Sequence, residues 1–277
     1  MKLLIIDGSN LLFQMFYGMP ARITGRDGRA IQGTLGFTGA LLRIIRMTSP
    51  THVLAVFDGE GGCARTALDP LYKANRPDYS ALPEEETPFS QLADVYAALD
   101  FLGVRRHATC GCEADDVIAA YAMQTDGEVV ISSFDSDFFQ LISPRVSVLR
   151  YRGEKTAIHT PQTVMERMGV APAQYAEHKA MTGDTADNIP GAPHIGPKTA
   201  AALLHEYGSL EAIIAHAPDI KKPAVRASVM AHADRIRRNL QMIRLDGRTP
   251  LPIAAEDLTY RDQGLTTGDV LRGIGLK

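Results

Sequence analysis

Nine carboxylates of this chain stand where apolar runs end or helical patterns begin: Asp7, Asp58, Glu113, Asp115, Asp116, Asp135, Asp137, Asp184 and Asp187. Their settings are LLIIDGSN, LAVFDGEG, CEADDVIA, VVISSFDSDFF and MTGDTADNIPG. Acids gathered beside apolar strands repel one another and must either protonate or bind cations. Hard oxygen donors with no accompanying His or Cys cluster favour magnesium or manganese over zinc. The chemistry to expect is that of divalent ions held by carboxylates.

The elements that must gather these acids are legible in outline. Residues 2–6, 52–57 and 128–133 are short apolar runs, the first two halted by Asp-Gly and the third by Asp135. Continuous apolar strands suit a parallel sheet covered on both faces. Between them Leu35, Leu41, Leu42 and Ile45 recur at helical spacing, as do Leu92, Val95, Tyr96 and Leu99, and Val117, Ile118 and Tyr121. This alternation predicts an α/β domain over residues 1–160, with ligands collected at the carboxyl ends of the strands. Glu113, Asp115 and Asp116 open a helix, where simple capping is the alternative to metal binding. Three acids in four positions exceed what a cap uses.

Residues 65–90 carry several prolines and interleave basic and aromatic residues in LYKANRPDY, so this stretch reads as exposed. From residue 161 to 277 the pattern is helical and implies a second lobe. Within it residues 189–203 form a hairpin in which Gly191 and Gly196 flank a tight turn and Pro197-Lys198 opens an Ala-rich helix. Glycines let a backbone approach a ligand, and unpaired N–H groups at a helix start can hold a phosphate oxygen.

Bulk properties narrow the class. A chain of 277 residues with 45% hydrophobic and 22% charged content is that of an ordinary globular protein. No apolar run approaches the roughly 20 residues of a membrane helix, and the N-terminal MKLLIID reads as a strand rather than an export signal. Cys63, Cys110 and Cys112 lack C-x-x-C spacing and read as reduced thiols, in keeping with a cytoplasmic protein. The net charge of −3 gives no global basic field. If metal neutralises the nine acids, however, the remaining surface has excess base, for example at Arg22/Arg26/Arg29 and Arg235/Arg237/Arg238.

With these motifs in order (IIDGSN, FDGEGGCAR, LYKANRP, GCEADDVIA, SSFDSDFFQL and GDTADNIPGAPHIGPKTAAALL) the chain resembles the structure-specific 5′-nuclease family, which includes the nuclease domain of bacterial family-A DNA polymerases, phage 5′-exonucleases and flap endonucleases. The resemblance implies a three-layer α/β core with a mostly parallel, resolvase-like or PIN-like sheet, a helical arch over residues 65–90, and a DNA-binding helix-hairpin-helix lobe. Asp7, Asp58, Glu113, Asp115 and Asp116 match the acids of a first metal site, and Asp135, Asp137, Asp184 and Asp187 those of a second. Lys73 and Arg76 match basic residues that face the scissile phosphate, and Asp116 is counted with them as catalytic. Tyr72 and the hairpin residues Gly191, Gly196, Lys198 and Thr199 match DNA-binding positions, where relatives also hold a potassium ion.

The implied activity is divalent-metal-dependent 5′-3′ exonuclease or 5′-flap endonuclease cleavage of flapped, nicked or gapped DNA with two magnesium or manganese ions. It would be carried out by a stand-alone monomer beside a separate DNA polymerase, nucleoid-associated if bacterial. A branched-DNA-binding protein without turnover is the alternative. A single-strand ribonuclease ranks lower because such domains lack the hairpin lobe, and an aspartyl phosphatase fails because Asp7 is followed by Gly8-Ser9-Asn10 rather than x-D-x-T. Gln14 and Phe134 depart from the family pattern, which has Arg and Gly there. Phe13, Phe16 and Tyr17 could stack on a displaced base or lie in the core.

Overall fold

The apolar run Lys2–Asp7 forms β1, and every residue of it after Lys2 is buried. That burial requires cover on both faces, and the computed structural model, which describes all residues except 27, 60, 62 and 63, supplies it. The chain continues through α1 (Gly8–Gly18), α2 (Gln32–Thr48), β2 (His52–Phe57), α3 (Ala64–Leu68), α4 (Leu92–Leu102), β3 (Arg105–Ala108), α5 (Ala114–Gln124) and β4 (Glu128–Ser132). Next come β5 (Val146–Arg150), β6 (Ala157–His159), α6 (Pro161–Met168), α7 (Tyr175–Thr182), β7 (Gly183–Asp184) and β8 (Ile189–Pro190). The last elements are α8 (Pro197–Tyr207), α9 (Leu210–Ala215), α10 (Pro223–Ile243) and α11 (Thr267–Gly273).

Six strands make one sheet in the order β3-β2-β1-β4-β5-β6, parallel except for the β5–β6 pair. Because side chains alternate across a strand, Leu3, Ile5, Leu54, Val56, Val129 and Ile131 face one way, against α5. Leu4, Ile6, Val53, Ala55 and Val130 face the other, against α1, α2 and α4. The result is the three-layer α/β arrangement expected. Chain direction across the sheet reverses at β1/β4, the position where parallel sheets open a crevice at their carboxyl ends.

One expectation needs correction. The helical arch over residues 65–90 is one short helix, α3, followed by turns and 3-10 segments of three or four residues. Pro70, Pro77, Pro83 and Pro88 interrupt it before any helix can propagate. The 161–277 segment is largely helical, as expected. Its helices α7 to α10 extend the core on the α5 face, while Val270 of α11 joins the opposite core and Leu271 packs with Ile31 and Leu276. No helix among the described residues is long and apolar enough to cross a membrane. Cys63 lies outside the described residues, and Cys110 and Cys112 are free thiols.

Candidate metal centre and the basic side chains around it

The site is built at the strand ends. Asp7 closes β1 and caps α1, accepting from the Asn10 amide at 3.0 Å, while its other oxygen accepts from Ser133 Oγ at 2.7 Å. Asp58 follows β2, and its Oδ1 accepts from the Ala114 amide at 3.0 Å. The start of α5 is therefore capped from across the crevice by Asp58, and Glu113 makes no side-chain cap bond of its own. Asp135 Oδ1 accepts from the Asp137 amide at 2.8 Å, which turns the chain after β4 so that both acids point inward. After Asp58, Gly59 lets the chain pass close to the segment that follows β3, since a Cβ there would lie 1.8 Å from the Thr109 carbonyl oxygen.

The nine acids fall into three groups. Asp7, Asp58, Asp115 and Asp135 form the first, and no ion pair reaches any of them among the described residues. Burial raises Asp7 to about 7, with the Asp58 and Asp135 charges adding to it and the Ser133 and Asn10 bonds opposing. Burial and the Asp135, Asp7 and Asp58 charges likewise push Asp115 well up, against the pull of Lys73.

Asp137, Asp184 and Asp187 form the second group, with one oxygen from each lying within 4.8 Å of the others. Lys179 of α7 is buried between them and donates to Asp137 and, at 2.5 Å, to Asp184 Oδ2. Burial raises Asp137 to about 7 despite Lys179. Asp184 is held below its ordinary value because Lys179 and the Ala186 and Asp187 amides outweigh the effect of burial. Arg76 Nη2 meets Asp187 Oδ1 at 2.9 Å.

Glu113 and Asp116 form the third group and are taken up by basic side chains. Arg65, itself buried, donates to both oxygens of Asp116 at 2.7 and 2.8 Å, to Glu113, and through Nε to the Met242 carbonyl at 2.6 Å. The Asp246 amide also bonds Asp116 Oδ1 at 2.9 Å. Three donors thus occupy the two oxygens of Asp116. Lys73 Nζ donates to Glu113. Tyr72 is buried, its hydroxyl 3.2 Å from Glu113 and 3.3 Å from Asp187.

Sequence reasoning missed Arg65 and Lys179. Lys179 carried a signal, because it is a lone charge among Ala176, Ala180 and Met181 on a buried helix face. The departures have local roles: Gln14 Nε2 donates to the Tyr151 carbonyl at 2.9 Å, and Arg152 lies over the Phe134 ring at 5.3 Å. Phe13 packs edge-on to Tyr79 and Phe89 at 5.5 and 5.6 Å, in a cluster that leaves Tyr17 and Phe89 about half exposed.

The hairpin lies beyond the second group. Gly191 is required sterically, since a Cβ would sit 2.3 Å from the Thr182 carbonyl oxygen. Asn239 of α10 donates to the Ala180 and Pro190 carbonyls, both at 2.9 Å, and so holds the hairpin to α7. Gly196 caps α8, Lys198 is exposed and Thr199 is half-buried. Gly191→Ala is expected to cost about 1–3 kcal/mol, because backbone faces the new methyl and cannot yield as a side chain would. Urea denaturation checks this.

All the candidate donors are carboxylate oxygens, the donor type that suits hard divalent ions. The fold and site thus define a carboxylate-centred α/β protein with an appended helical hairpin lobe. Residues 2–169 match the model of the 5′-3′ exonuclease N-terminal resolvase-like domain, and residues 170–265 that of the 5′-3′ exonuclease C-terminal SAM fold. The chain belongs to the 5′-3′ exonuclease family. It is 37% identical over 272 residues to DNA polymerase I of Rhizobium leguminosarum, covering 94% of this chain and 26% of the polymerase. Against the thermostable DNA polymerase I of Thermus aquaticus it is 36% identical over 264 residues, covering 94% and 30%. The chain therefore spans less than a third of the length of these relatives. Its fold is similar to that of T5 5′-exonuclease with bound zinc, at a TM-score of 0.74 and 24% identity over 99% of this chain and 98% of that one. The catalytic core of Rad2 in complex with DNA has a TM-score of 0.58 at 13% identity, over 99% and 92% of the two chains.

Proposed function

We propose that this chain is a divalent-metal-dependent 5′-3′ exonuclease and 5′-flap endonuclease that hydrolyses DNA phosphodiesters. The observation that carries this reading is the first group of acids. Four carboxylates gathered at the strand ends, with no ion pair to any of them among the described residues, are a charge arrangement that either protons or cations must relieve, and bound cations are what leaves all four ionised. Asp7, Asp58, Asp115 and Asp135 would hold one ion, and Asp137, Asp184 and Asp187 a second, with magnesium or manganese the natural occupants. When bound, such ions supply Lewis-acid charge beside the scissile phosphodiester and a more acidic water.

The chain's own groups do the rest. Lys73 and Arg76 sit on Glu113 and Asp187, at the edges of the acid groups, and present positive charge where the non-bridging oxygens become more negative. Arg65 and Tyr72 keep Glu113 in place, while Asp116 acts by holding Arg65. Gly191, Gly196, Lys198 and Thr199 form a phosphate-gripping turn for the duplex, with a potassium ion on its carbonyls. The partners that fit are flapped, nicked or gapped DNA and a DNA polymerase, in the cytoplasm, with the chain acting as a monomer.

Side-by-side digestion of 5′-flap, nicked, blunt duplex and single-stranded DNA with magnesium, manganese or chelator tests this. Cleavage from the 5′ end with either ion and none with chelator is the expected result. Flap binding without cleavage under any ion would establish the branched-DNA-binding alternative instead. Lys73→Ala is expected to lower kcat by about 10²–10³-fold, the effect of losing one donor aimed at developing charge, with a smaller change in KM. Flap affinity should fall steeply with salt, as phosphate contacts dictate.

A further inference from the structure

Two residues that are not glycine hold left-handed backbone next to the acid groups: Lys73 and Asn188, each with φ 57°. Such a conformation in a non-glycine residue costs about 1–3 kcal/mol and persists only where surrounding contacts over-determine it. Asparagine tolerates it comparatively well, whereas lysine has no local bond to compensate.

The two residues belong to facing turns. The Lys73 amide donates to the Asp187 carbonyl at 3.0 Å. Asn188 Nδ2 donates to the Leu71 carbonyl at 2.7 Å, and Asn75 Nδ2 to the Thr185 carbonyl at 2.8 Å. Each turn is also closed on itself, by Ala74 N–H to the Leu71 carbonyl at 3.1 Å and by Asn188 N–H to the Thr185 carbonyl at 3.3 Å. Leu71, Ala74 and Asn75 are exposed, so apart from Tyr72 no apolar burial holds the 71–75 turn down. Three hydrogen bonds to main-chain carbonyls span the two turns, two of them from asparagine side chains, beside the contacts of the Tyr72 and Arg76 side chains with the Asp187 carboxylate.

We infer that Asn188 and Asn75 are positioning residues. By bonding the backbone on either side of Lys73, they register its main chain against the turn that carries Asp184 and Asp187 while its ammonium rests on Glu113, so the basic segment and the second acid group move as one unit. This rests on the nuclease reading above. It adds that the rate contribution of Lys73 depends on two amides that touch neither substrate nor metal.

Asn188→Gly is the informative variant, because glycine keeps the left-handed backbone and removes only the amide. On a 5′-flap substrate kcat is expected to fall about 10- to 100-fold, as for a reacting group displaced by an ångström or so, with KM changed by less than about twofold. In a Lys73→Ala background the same substitution should cost less than about twofold more, since it acts through Lys73. Asn75→Ala should show the same pattern. Independently of activity, exchange of the Lys73 amide in the Asn188→Gly protein should quicken by about three- to tenfold, as for the loss of one hydrogen bond.

A cleaving wild type whose Asn188→Gly variant cleaves equally fast, or whose losses multiply with Lys73→Ala, overturns the inference and leaves the nuclease reading intact. Unchanged exchange at Lys73 overturns it by the second route. A wild type that does not cleave under any ion overturns the nuclease reading and this inference with it.

Discussion

Lys179→Met is expected to destabilise the metal-free protein by about 3–5 kcal/mol, the cost of stripping one partner from a buried ion pair, and magnesium should restore much of the loss. The lysine is buried and donates to Asp137 and Asp184, so its removal leaves these two carboxylates facing each other without an ion-pair partner, Arg76 being paired with Asp187. Burial alone would lower the lysine's pKa, but the two aspartates outweigh it and hold the group above its ordinary 10.5. A base raised on folding contributes its stability in full below its unfolded value and loses it only as pH rises through the folded one. The deficit of the methionine variant therefore spans the whole neutral range. Magnesium bound to the folded state alone offsets it by mass action. Urea denaturation near neutral pH, with chelator and with magnesium, measures both numbers. An equal deficit with and without magnesium would mean that Lys179 is a fixture of α7 packing and that these carboxylates share no cation.

That lysine also shows where the sequence stops being legible. The acids could be found because each stands at the end of an apolar run, and a parallel sheet brings strand ends together whatever the details of packing. Asp7, Asp58 and Asp135 needed nothing more. Which acids remain without a partner is decided by long side chains arriving from elsewhere, Arg65 from α3 and Lys179 from α7, and no local pattern encodes where a guanidinium lands 51 residues away in sequence. Nor does the helix-start motif tell which of Glu113, Asp115 and Asp116 such a cation will meet, since helical geometry directs consecutive side chains to different faces.

Three strands of the main sheet were not legible, the inner β5 with its mixed Val-Ser-Val-Leu-Arg run and two of a different kind. β3 reads Arg-Arg-His-Ala and β6 has three residues, and both are edges, where one side of the ladder faces solvent and charge is tolerated. Residues 65–90 were legible as interrupted, but not as docked. The asparagine bonds that hold the 71–75 turn down are single contacts between chain segments, and nothing in the spacing of LYKANRP announces them.

Asp7→Asn is expected to stabilise the metal-free protein by up to about 4 kcal/mol at pH 8, while abolishing cleavage. The carboxyl is raised to about 7 by burial first and by the Asp58 and Asp135 charges next, from an ordinary 3.8. An acid whose folded value lies above its unfolded one binds its proton more tightly when folded, so the native state is favoured below about pH 4 and loses that advantage as pH rises towards 7. Above 7 the whole difference stands as a penalty, of about 1.4 kcal/mol for each unit between the two values, some of it shared with the neighbouring acids. Asparagine has the same shape and does not ionise. Its oxygen can take the Asn10 amide and its NH₂ can face Ser133 Oγ, which has a second lone pair beside the one used by the Asp135 amide. The variant's stability should therefore be flatter than wild type between pH 4 and 8, and the two should converge at the acid end. Magnesium should stabilise wild type at pH 8 far more than the variant, because it relieves the repulsion that the substitution has already removed. If the variant were no more stable than wild type at pH 8 under chelator, Asp7 would carry no unrelieved charge there, and the rim of the sheet would have no electrostatic need for an ion.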